Sequence, residues 1–134
     1  MIRPMPTCAL LDTHAFVWFI SGDQRLSRAA RKLLDDRENE ILISVASLWE
    51  IAIKHSLGKL TLERPFAEFI PEQLDRQQIE ILPITLTHLA EVDRLPFHHR
   101  DPFDRVIAAQ ALSEGIPVVS LDAALDPYGV NRIW

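Results

Sequence analysis

The stretch HHRDPFDRVIAAQA, residues 98–111, predicts the start of a helix that carries two carboxylates. Asp101 suits the N-cap position, and Pro102 suits the first helical position because its ring fixes φ and it has no backbone N–H. Apolar side chains then recur at helical spacing, which predicts one buried face; they are Phe103, Val106, Ile107, Ala111 and Leu112. Asp104 follows the cap by three residues, so we expect it at the N-terminal end of the helix, facing the strand ends.

Short apolar runs alternate with helical patterns on both sides of this stretch. The predicted strands are 7–11, 41–43, 79–84, 118–121 and 130–133. The other predicted helices are 13–20, 28–34, 45–57, 66–76 and 87–95. The strand runs are continuously apolar, which is typical of parallel strands that are covered on both faces. We therefore predict a single α/β domain over residues 1–134, with three α/β/α layers around a central, mainly parallel sheet.

The helix predicted over 45–57 carries both apolar and polar faces. Spacing assigns the core face to Val45, Leu48, Trp49, Ala52 and Ile53. On this assignment Ser47, Glu50 and Lys54 fall on a neighbouring face.

Composition limits the classes of protein that this chain can represent. With 134 residues, of which 48% are hydrophobic, it is large enough for one core. No apolar run approaches the roughly 20 residues of a bilayer span, and the first residues lack the apolar segment of a signal peptide, so we expect a cytoplasmic protein without a membrane partner. The single cysteine, Cys8, excludes an intrachain disulfide and suits a small core residue. A net charge of −5 argues against non-specific coating of nucleic acid, although local binding remains open.

Four acidic residues are expected at one edge of the predicted sheet. Asp12 and Asp122 each follow a strand, and ligands of open α/β sheets bind beyond the carboxyl ends of the strands. Asp104 begins the helix that leads to the strand before Asp122. Glu50 lies one to two turns into a helix that starts at the same edge. Carboxylates this close repel each other strongly, so the fold needs a compensating cation.

The donor set favours a hard divalent ion. Four carboxylates without Cys or His at ligand spacing select Mg²⁺ or Mn²⁺ over zinc. Such ions support phosphoryl transfer, because they bridge a phosphate, lower the pKa of a bound water and stabilise the leaving oxygen. Thr13 and Ser120 lie beside the acids and are candidates to orient a carboxylate or a ligand water; helix capping and strand packing are the structural alternatives.

Four ordered motifs resemble those of PIN domains of the VapC toxin type. They are LLDTHAFVW (10–18), SVASLWEIAIK (44–54), DPFDRVIAAQA (101–111) and VVSLDAALDPYGV (118–130). The resemblance implies a Mg²⁺-dependent ribonuclease that acts on RNA, with a cognate VapB-like antitoxin and usually a homodimer. It places the family's catalytic, metal-binding acids on Asp12, Glu50, Asp104 and Asp122. Ser120 stands where many relatives have threonine, a mild departure that keeps the hydroxyl.

Several residues near these acids have a purely structural alternative. Asp101 is explained by capping, and Asp126 by a turn before Pro127. Glu50 and Lys54 would also suit a surface i,i+4 pair. His14 is adjacent to the first acid, but packing or capping is the simpler role. His98 and His99 could contact phosphate, whereas an exposed loop pair is more often solvated.

Two other enzyme classes fail on single features. A haloacid-dehalogenase-like phosphatase needs a second Asp two positions after Asp12, where this chain has His14. A dinucleotide-binding enzyme needs a glycine-rich turn after the first strand, and no glycine lies between Asp12 and Ile20. The remaining alternative is a catalytically silent PIN-like module that binds RNA or a protein. The metal count, the RNA cleaved and its cleavage sequence stay open.

Two tryptophans suggest a surface for a partner protein. A domain of this size buries only about two thirds of its surface, so we expect Trp18 or Trp49 near the surface. Exposed aromatic patches mark binding sites. On the resemblance, an antitoxin helix would lie in a groove there and send a basic side chain toward the acids.

Overall fold

The computed structural model describes residues 5–98 and 101–134. The strands are β1 (Cys8–Leu11), β2 (Glu40–Ser44), β3 (Ile79–Leu82), β4 (Val118–Val119) and β5 (Arg132–Ile133). The helices are α1 (Thr13–Ser21), α2 (Arg28–Asp35), α3 (Val45–Ser56), α4 (Phe66–Arg76), α5 (Leu86–Arg94) and α6 (Pro102–Glu114), with a 3-10 helix over Ala123–Tyr128. His99, one of the candidates above, lies outside the described residues.

The described strands form one parallel sheet in the order β3-β2-β1-β4-β5. The first strand is central: Leu10 pairs in register with Leu42 on one side and with Val118 on the other. From β1 the chain winds toward β3 and then crosses to β4 on the opposite side. This reversal puts a topological switch point between β1 and β4, where α/β folds bind ligands.

The core has two halves, one on each face of the sheet. Ala9 and Leu11 point to one face and pack in the cluster that includes Phe16, whereas Leu10 points to the other and packs with Ile107 of α6. Ala9, Leu10 and Leu11, three of the four residues of β1, are fully buried. The observed architecture therefore confirms the predicted α/β/α layers and the parallel sheet.

The core face assigned to α3 from spacing is wrong. Trp49 is 61% exposed, and Val45 and Ile53 are also exposed. The buried residues of α3 are instead Ala46, Ser47, Leu48, Glu50 and Ile51. Apolar side chains occupy more than one stripe of this helix, so its periodicity alone does not show which stripe faces the sheet.

Two strands end earlier than predicted. β3 stops at Leu82 because Pro83, which follows it, has no N–H to continue the ladder. β4 stops at Val119, and Asp122 then caps the 3-10 helix. The acid after β4 therefore begins a turn of helix, just as Asp12 begins α1.

Candidate functional site

Asp12 lies at the carboxyl end of the central strand and caps the following helix. Its backbone N–H donates to Val119 O over 3.1 Å, which ties the ends of β1 and β4 together. Its Oδ1 accepts from the N–H of Ala15 at 2.8 Å. The residue is only 5% exposed. A short polar side chain at this strand-to-helix junction is thus fixed at the switch point of the sheet.

The surroundings of Asp12 disfavour its negative charge. Burial raises the pKa of this carboxyl, and the nearby charge of Asp122 raises it further. The hydroxyl of Ser120, the N–H of Ala15 and His14 act in the opposite direction without cancelling the effect. Two carboxylates therefore share a poorly hydrated space in which a cation would stabilise both.

Asp122 reaches this space from the next strand over. Its N–H donates to Ser120 Oγ at 3.0 Å, and its Oδ1 accepts from the N–H of Ala124 at 2.9 Å. Ser120 itself is fully buried. Asp12 and Asp122 border a pocket of about 380 Å³ that we name the acid pocket. It is lined by Asp12, His14, Trp18, Leu121, Asp122 and Ala123.

The carboxylate of Glu50 lies next to the first residue of α1 and is held by two partners. Its Oε1 accepts from the hydroxyl of Thr13 at 2.7 Å, and its Oε2 pairs with Lys54 Nζ at 2.7 Å. Thr13 Oγ1 also lies 3.0 Å from Ser47 Oγ. Glu50 is 5% exposed. The i,i+4 pair considered from the sequence therefore exists, but its carboxylate is buried next to the residue that follows Asp12.

Asp101 and Asp104 occupy the first turn of α6. Asp101 caps the helix, with Oδ1 accepting from the N–H groups of Phe103 at 2.9 Å and Asp104 at 3.3 Å. Asp104 is partly buried. The ring of Phe103 packs edge-on against Trp49 with 5.2 Å between centroids, which sets the start of α6 beside α3. The capping role of Asp101 agrees with its simpler interpretation.

The four predicted acids are not all brought together in the same way. Asp12 and Asp122 interact directly through their charges, and Glu50 is connected to them through Thr13. Among residues 5–98 and 101–134, no group of three or more His, Cys, Asp or Glu side chains is arranged to hold a metal ion. Convergence of Asp104 and Glu50 on one ion with the other two therefore stays a prediction.

The donor set around the acid pocket nevertheless fits a magnesium ion. It offers carboxylate oxygens and the hydroxyl of Ser120, with no thiolate. Mg²⁺ in proteins is commonly bound by one or two carboxylates, and waters and substrate phosphates complete its coordination. The pair Asp12 and Asp122 meets that requirement.

The secondary candidates have structural partners. Asp126 forms an ion pair with Arg132 at 2.8 Å, which lowers the pKa of the Asp126 carboxyl, so its charge is compensated away from the pocket. His14 is exposed, lines the acid pocket and lies 5.7 Å from Trp18 between ring centroids. His98 contacts the ring of Tyr128 at 5.2 Å. Burial raises the pKa of Cys8, which keeps the thiol protonated as expected of a packed residue.

Sequence reasoning missed the role of Arg105. Its buried guanidinium donates to the carbonyls of Val92 at 3.0 Å and Pro96 at 2.9 Å, and to the hydroxyl of Tyr128 at 3.4 Å. It thereby joins α5, the following loop and the 3-10 helix to the start of α6. No local pattern in the sequence signals this role, because the partners of Arg105 are two backbone carbonyls and a hydroxyl from other elements.

Comparison with known proteins adds a family and a fold. Residues 9–130 match the model of the PIN domain. Ribonuclease VapC22 of Mycobacterium tuberculosis (strain ATCC 25618 / H37Rv) is 30% identical over 132 residues, covering 96% of this chain and 99% of that protein. Ribonuclease VapC16 of the same organism is 40% identical over 60 residues, 45% of this chain and 43% of its own length. A solved structure of VapBC2 from Rickettsia felis, bound to a DNA fragment from their promoter, superposes with a TM-score of 0.71 at 17% identity and covers 95% of this chain and 98% of that one.

None of the helices in the described residues is long and apolar enough to cross a membrane.

Proposed function

The chain belongs to the PIN domain family, and we propose that it is a metal-dependent endoribonuclease, the toxin of a type II toxin-antitoxin pair. A relative that aligns along almost the whole chain is named a ribonuclease. The observation that carries the proposal is the buried Asp12, which shares a pocket with Asp122 at the switch point of the sheet. Such a site suits a divalent metal ion whose coordination is completed by a substrate phosphate.

In this proposal Asp12 and Asp122 hold Mg²⁺ or Mn²⁺, and Glu50 and Asp104 complete the catalytic set. The bound ion would supply a water of lowered pKa and would stabilise charge on the phosphate. The chain's own part is orientation. The N–H groups of Ala15 and Ala124 fix one oxygen of each aspartate, and the hydroxyl of Thr13 fixes one oxygen of Glu50. Because these groups are locked before substrate arrives, little reorganisation is needed on binding.

The test is hydrolysis of single-stranded RNA by the purified chain. Cleavage should require Mg²⁺ or Mn²⁺, stop in EDTA and return with excess metal. RNA in which the bases of loops are unpaired is the expected substrate class, because a protein groove can reach splayed bases. Absence of cleavage with either ion, by a folded and antitoxin-free protein, would contradict the proposal.

One observation favours the alternative of a catalytically silent binding module. Lys54 already compensates the charge of Glu50, so one predicted ligand has a cation without any metal. A silent module would bind RNA or a protein equally well in EDTA and would cleave nothing. The same assay therefore separates the two functions.

We propose a cognate VapB-like antitoxin as the protein partner. The superposed Rickettsia structure is itself a VapBC2 assembly. Trp18, unlike Trp49, is not an exposed aromatic: it is only 9% exposed, although it borders the acid pocket together with Asp12 and Asp122. An antitoxin helix that lies over Trp18 would place a basic side chain next to these carboxylates, which would both block RNA and displace the metal.

Trp49 belongs to a different surface, for which we propose a second copy of this chain. Val45, Trp49, Ile53 and Leu57 recur every four residues and are all exposed, forming what we name the α3 stripe. In a two-fold dimer the same patch of both copies is in contact. Because the α3 stripe is uncharged, two copies can meet there without the repulsion that their net charge of −5 would otherwise cause. The homodimer expected from the family would thus form through α3.

A further inference from the structure

A second pocket, of about 210 Å³, adjoins the acid pocket and shares His14 and Trp18 with it. Three cationic side chains line it: Arg25, Lys54 and Lys59. We name it the basic pocket. Its charge is unusual for this chain, which carries a net charge of −5.

Two other surface pockets do not concentrate positive charge in this way. One is lined by Lys32 together with Asp36 and Glu38. Another is lined by Asp75 and Glu80 and has no basic residue. Three cations are therefore grouped beside the acid pocket; two of them are paired with Asp23 and Glu50, so the group keeps one net positive charge that attracts an anion.

The end of α3 explains how two of these cations come together. Gly58 has φ +73°, its N–H donates to His55 O at 3.1 Å, and the N–H of Lys59 donates to Lys54 O at 2.9 Å. This is the Schellman arrangement. The residues joined by its wider-spanning hydrogen bond, here Lys54 and Lys59, commonly make an apolar contact. Here both are lysines. Lys54 is paired with Glu50, and Lys59 forms no ion pair within the part of the chain that the structure describes, so Lys59 adds a positive charge beside that pair.

The third cation is held in place over an aromatic ring. Arg25 lies 5.0 Å from the centroid of Trp18 and forms an ion pair with Asp23 through Nη2 at 2.7 Å. Its described bonds to Asp23 use Nε and Nη2, and a guanidinium has five N–H donors. Lys54 likewise has three donors, of which Glu50 takes one. Both side chains are therefore preorganised and retain donor capacity.

We propose that the basic pocket binds a non-scissile phosphate of a single-stranded RNA whose scissile phosphate lies in the acid pocket. This inference rests on the proposed ribonuclease function and names how that site holds its substrate. His14 and Trp18 form the passage shared by the two pockets, so a strand that crosses them reaches both. An acidic segment of a protein partner would offer fewer regularly spaced anions than an RNA backbone, which is why the chemistry favours RNA.

The test measures binding of a short oligouridylate in EDTA, where no cleavage occurs, as a function of salt. The variants are Lys59→Gln, Arg25→Gln and their double; Lys32→Gln on α2 is the matched control. The double variant should bind roughly tenfold more weakly, and its slope of log affinity against log salt should fall by about 0.7, which is the contribution of one phosphate contact on a single strand. The control should bind like the wild type.

A kinetic comparison ties the pocket to the reaction. With metal present, the double variant should lose more kcat/KM on the oligouridylate than on a dinucleoside monophosphate, which has no second phosphate. Equal losses on both substrates would overturn the inference.

The outcomes distinguish this inference from the proposed function. If the wild type cleaves RNA but the double variant binds the oligouridylate with unchanged affinity and salt slope, the basic pocket is not a phosphate site and the ribonuclease proposal stands. If the wild type neither binds nor cleaves RNA, both the ribonuclease proposal and the inference on the basic pocket are contradicted. If the double variant loses only affinity for the co-expressed antitoxin, the pocket is a protein site and the inference is overturned.

Discussion

Thr13 Oγ1 donates to Glu50 Oε1 over 2.7 Å, so the residue next to the buried Asp12 orients a second buried acid on another helix. Removing the hydroxyl should leave one carboxylate oxygen of Glu50 without this donor, at a cost of about 1–3 kcal/mol. We expect Thr13→Val to lower both the melting temperature and the rate of RNA cleavage, and Thr13→Ser to preserve both. Single-turnover cleavage and thermal melts measure the two effects. A Thr13→Val protein with wild-type activity would show that the position of Glu50 is unimportant for the reaction.

The raised pKa of Asp12 gives a prediction on stability against pH. In the folded protein without metal this pKa lies above its ordinary value of 3.8, so the folded state binds the proton more tightly than the unfolded state. Stability is therefore lost as pH rises from the unfolded pKa through the raised folded pKa. Asp12→Asn keeps an acceptor for Ala15 and removes the charge.

We expect Asp12→Asn in EDTA to melt higher than the wild type at pH 7, by about 4 °C for each kcal/mol gained in a domain of this size. The difference should shrink toward pH 4. Thermal melts at both pH values test this, with Asp93→Asn at an exposed position of α5 as the control for general loss of negative charge. A gain that is equal at both pH values would contradict the assigned cause.

The two aspartates of the DPFD motif should differ in their effect on cleavage. Asp101 acts as the cap of α6, and Asn caps helices about as well as Asp, so Asp101→Asn should keep most activity. Asp104→Asn should lower cleavage by orders of magnitude if Asp104 is a metal ligand. Both variants should fold, which circular dichroism checks. An inactive Asp101→Asn beside an active Asp104→Asn would reverse the assignment.

The position of Asp12 was predictable because it depends on local order alone. A buried apolar run that ends in Asp, followed by a helical pattern, places the acid at a strand end in any parallel sheet. The same logic found the cap Asp101, which the structure confirms. The placement of Asp12 and Asp122 at the same edge of the sheet followed from the alternation of strands and helices.

The buried face of α3 was not predictable from the sequence in the same way. Burial of Glu50 depends on Thr13 from another helix and on Lys54, and neither contact leaves a signal in hydrophobic periodicity. The long side chain of Arg105 is similar: its partners are backbone carbonyls of α5 and the next loop, which any sequence can supply. Tertiary partners decide where polar side chains are buried, whereas local patterns decide where elements begin.

The exposure of Trp49 changes what its substitution should do. As a core residue it would cost about 3–5 kcal/mol on truncation. At 61% exposure on the α3 stripe, Trp49→Arg should lower the melting temperature only by the few degrees that the lost edge-on contact with Phe103 is worth, but should disrupt a two-fold dimer. Light scattering after gel filtration of the antitoxin-free protein measures the change. Leu121→Arg, an exposed apolar position away from α3, is the control, and a dimeric Trp49→Arg protein would remove the α3 stripe from the interface.

The ion pair between Lys54 and Glu50 allows a direct test of whether Glu50 is a metal ligand. Lys54 Nζ lies 2.7 Å from a carboxylate that is 5% exposed, so the ammonium and a divalent ion would compensate the same charge. Lys54→Met should lower stability in EDTA, because breaking a buried pair leaves an uncompensated charge. If Glu50 can reach the ion, Mg²⁺ should restore more stability to this variant than to the wild type, since a ligand that binds the folded state stabilises it by mass action.

The double variant Lys54→Met with Glu50→Gln removes both charges and should show a smaller Mg²⁺ effect than Lys54→Met alone. Thermal melts across a magnesium series measure all three proteins, and an identical magnesium response in Lys54→Met and the double variant would leave Asp12 and Asp122 to bind the ion without Glu50.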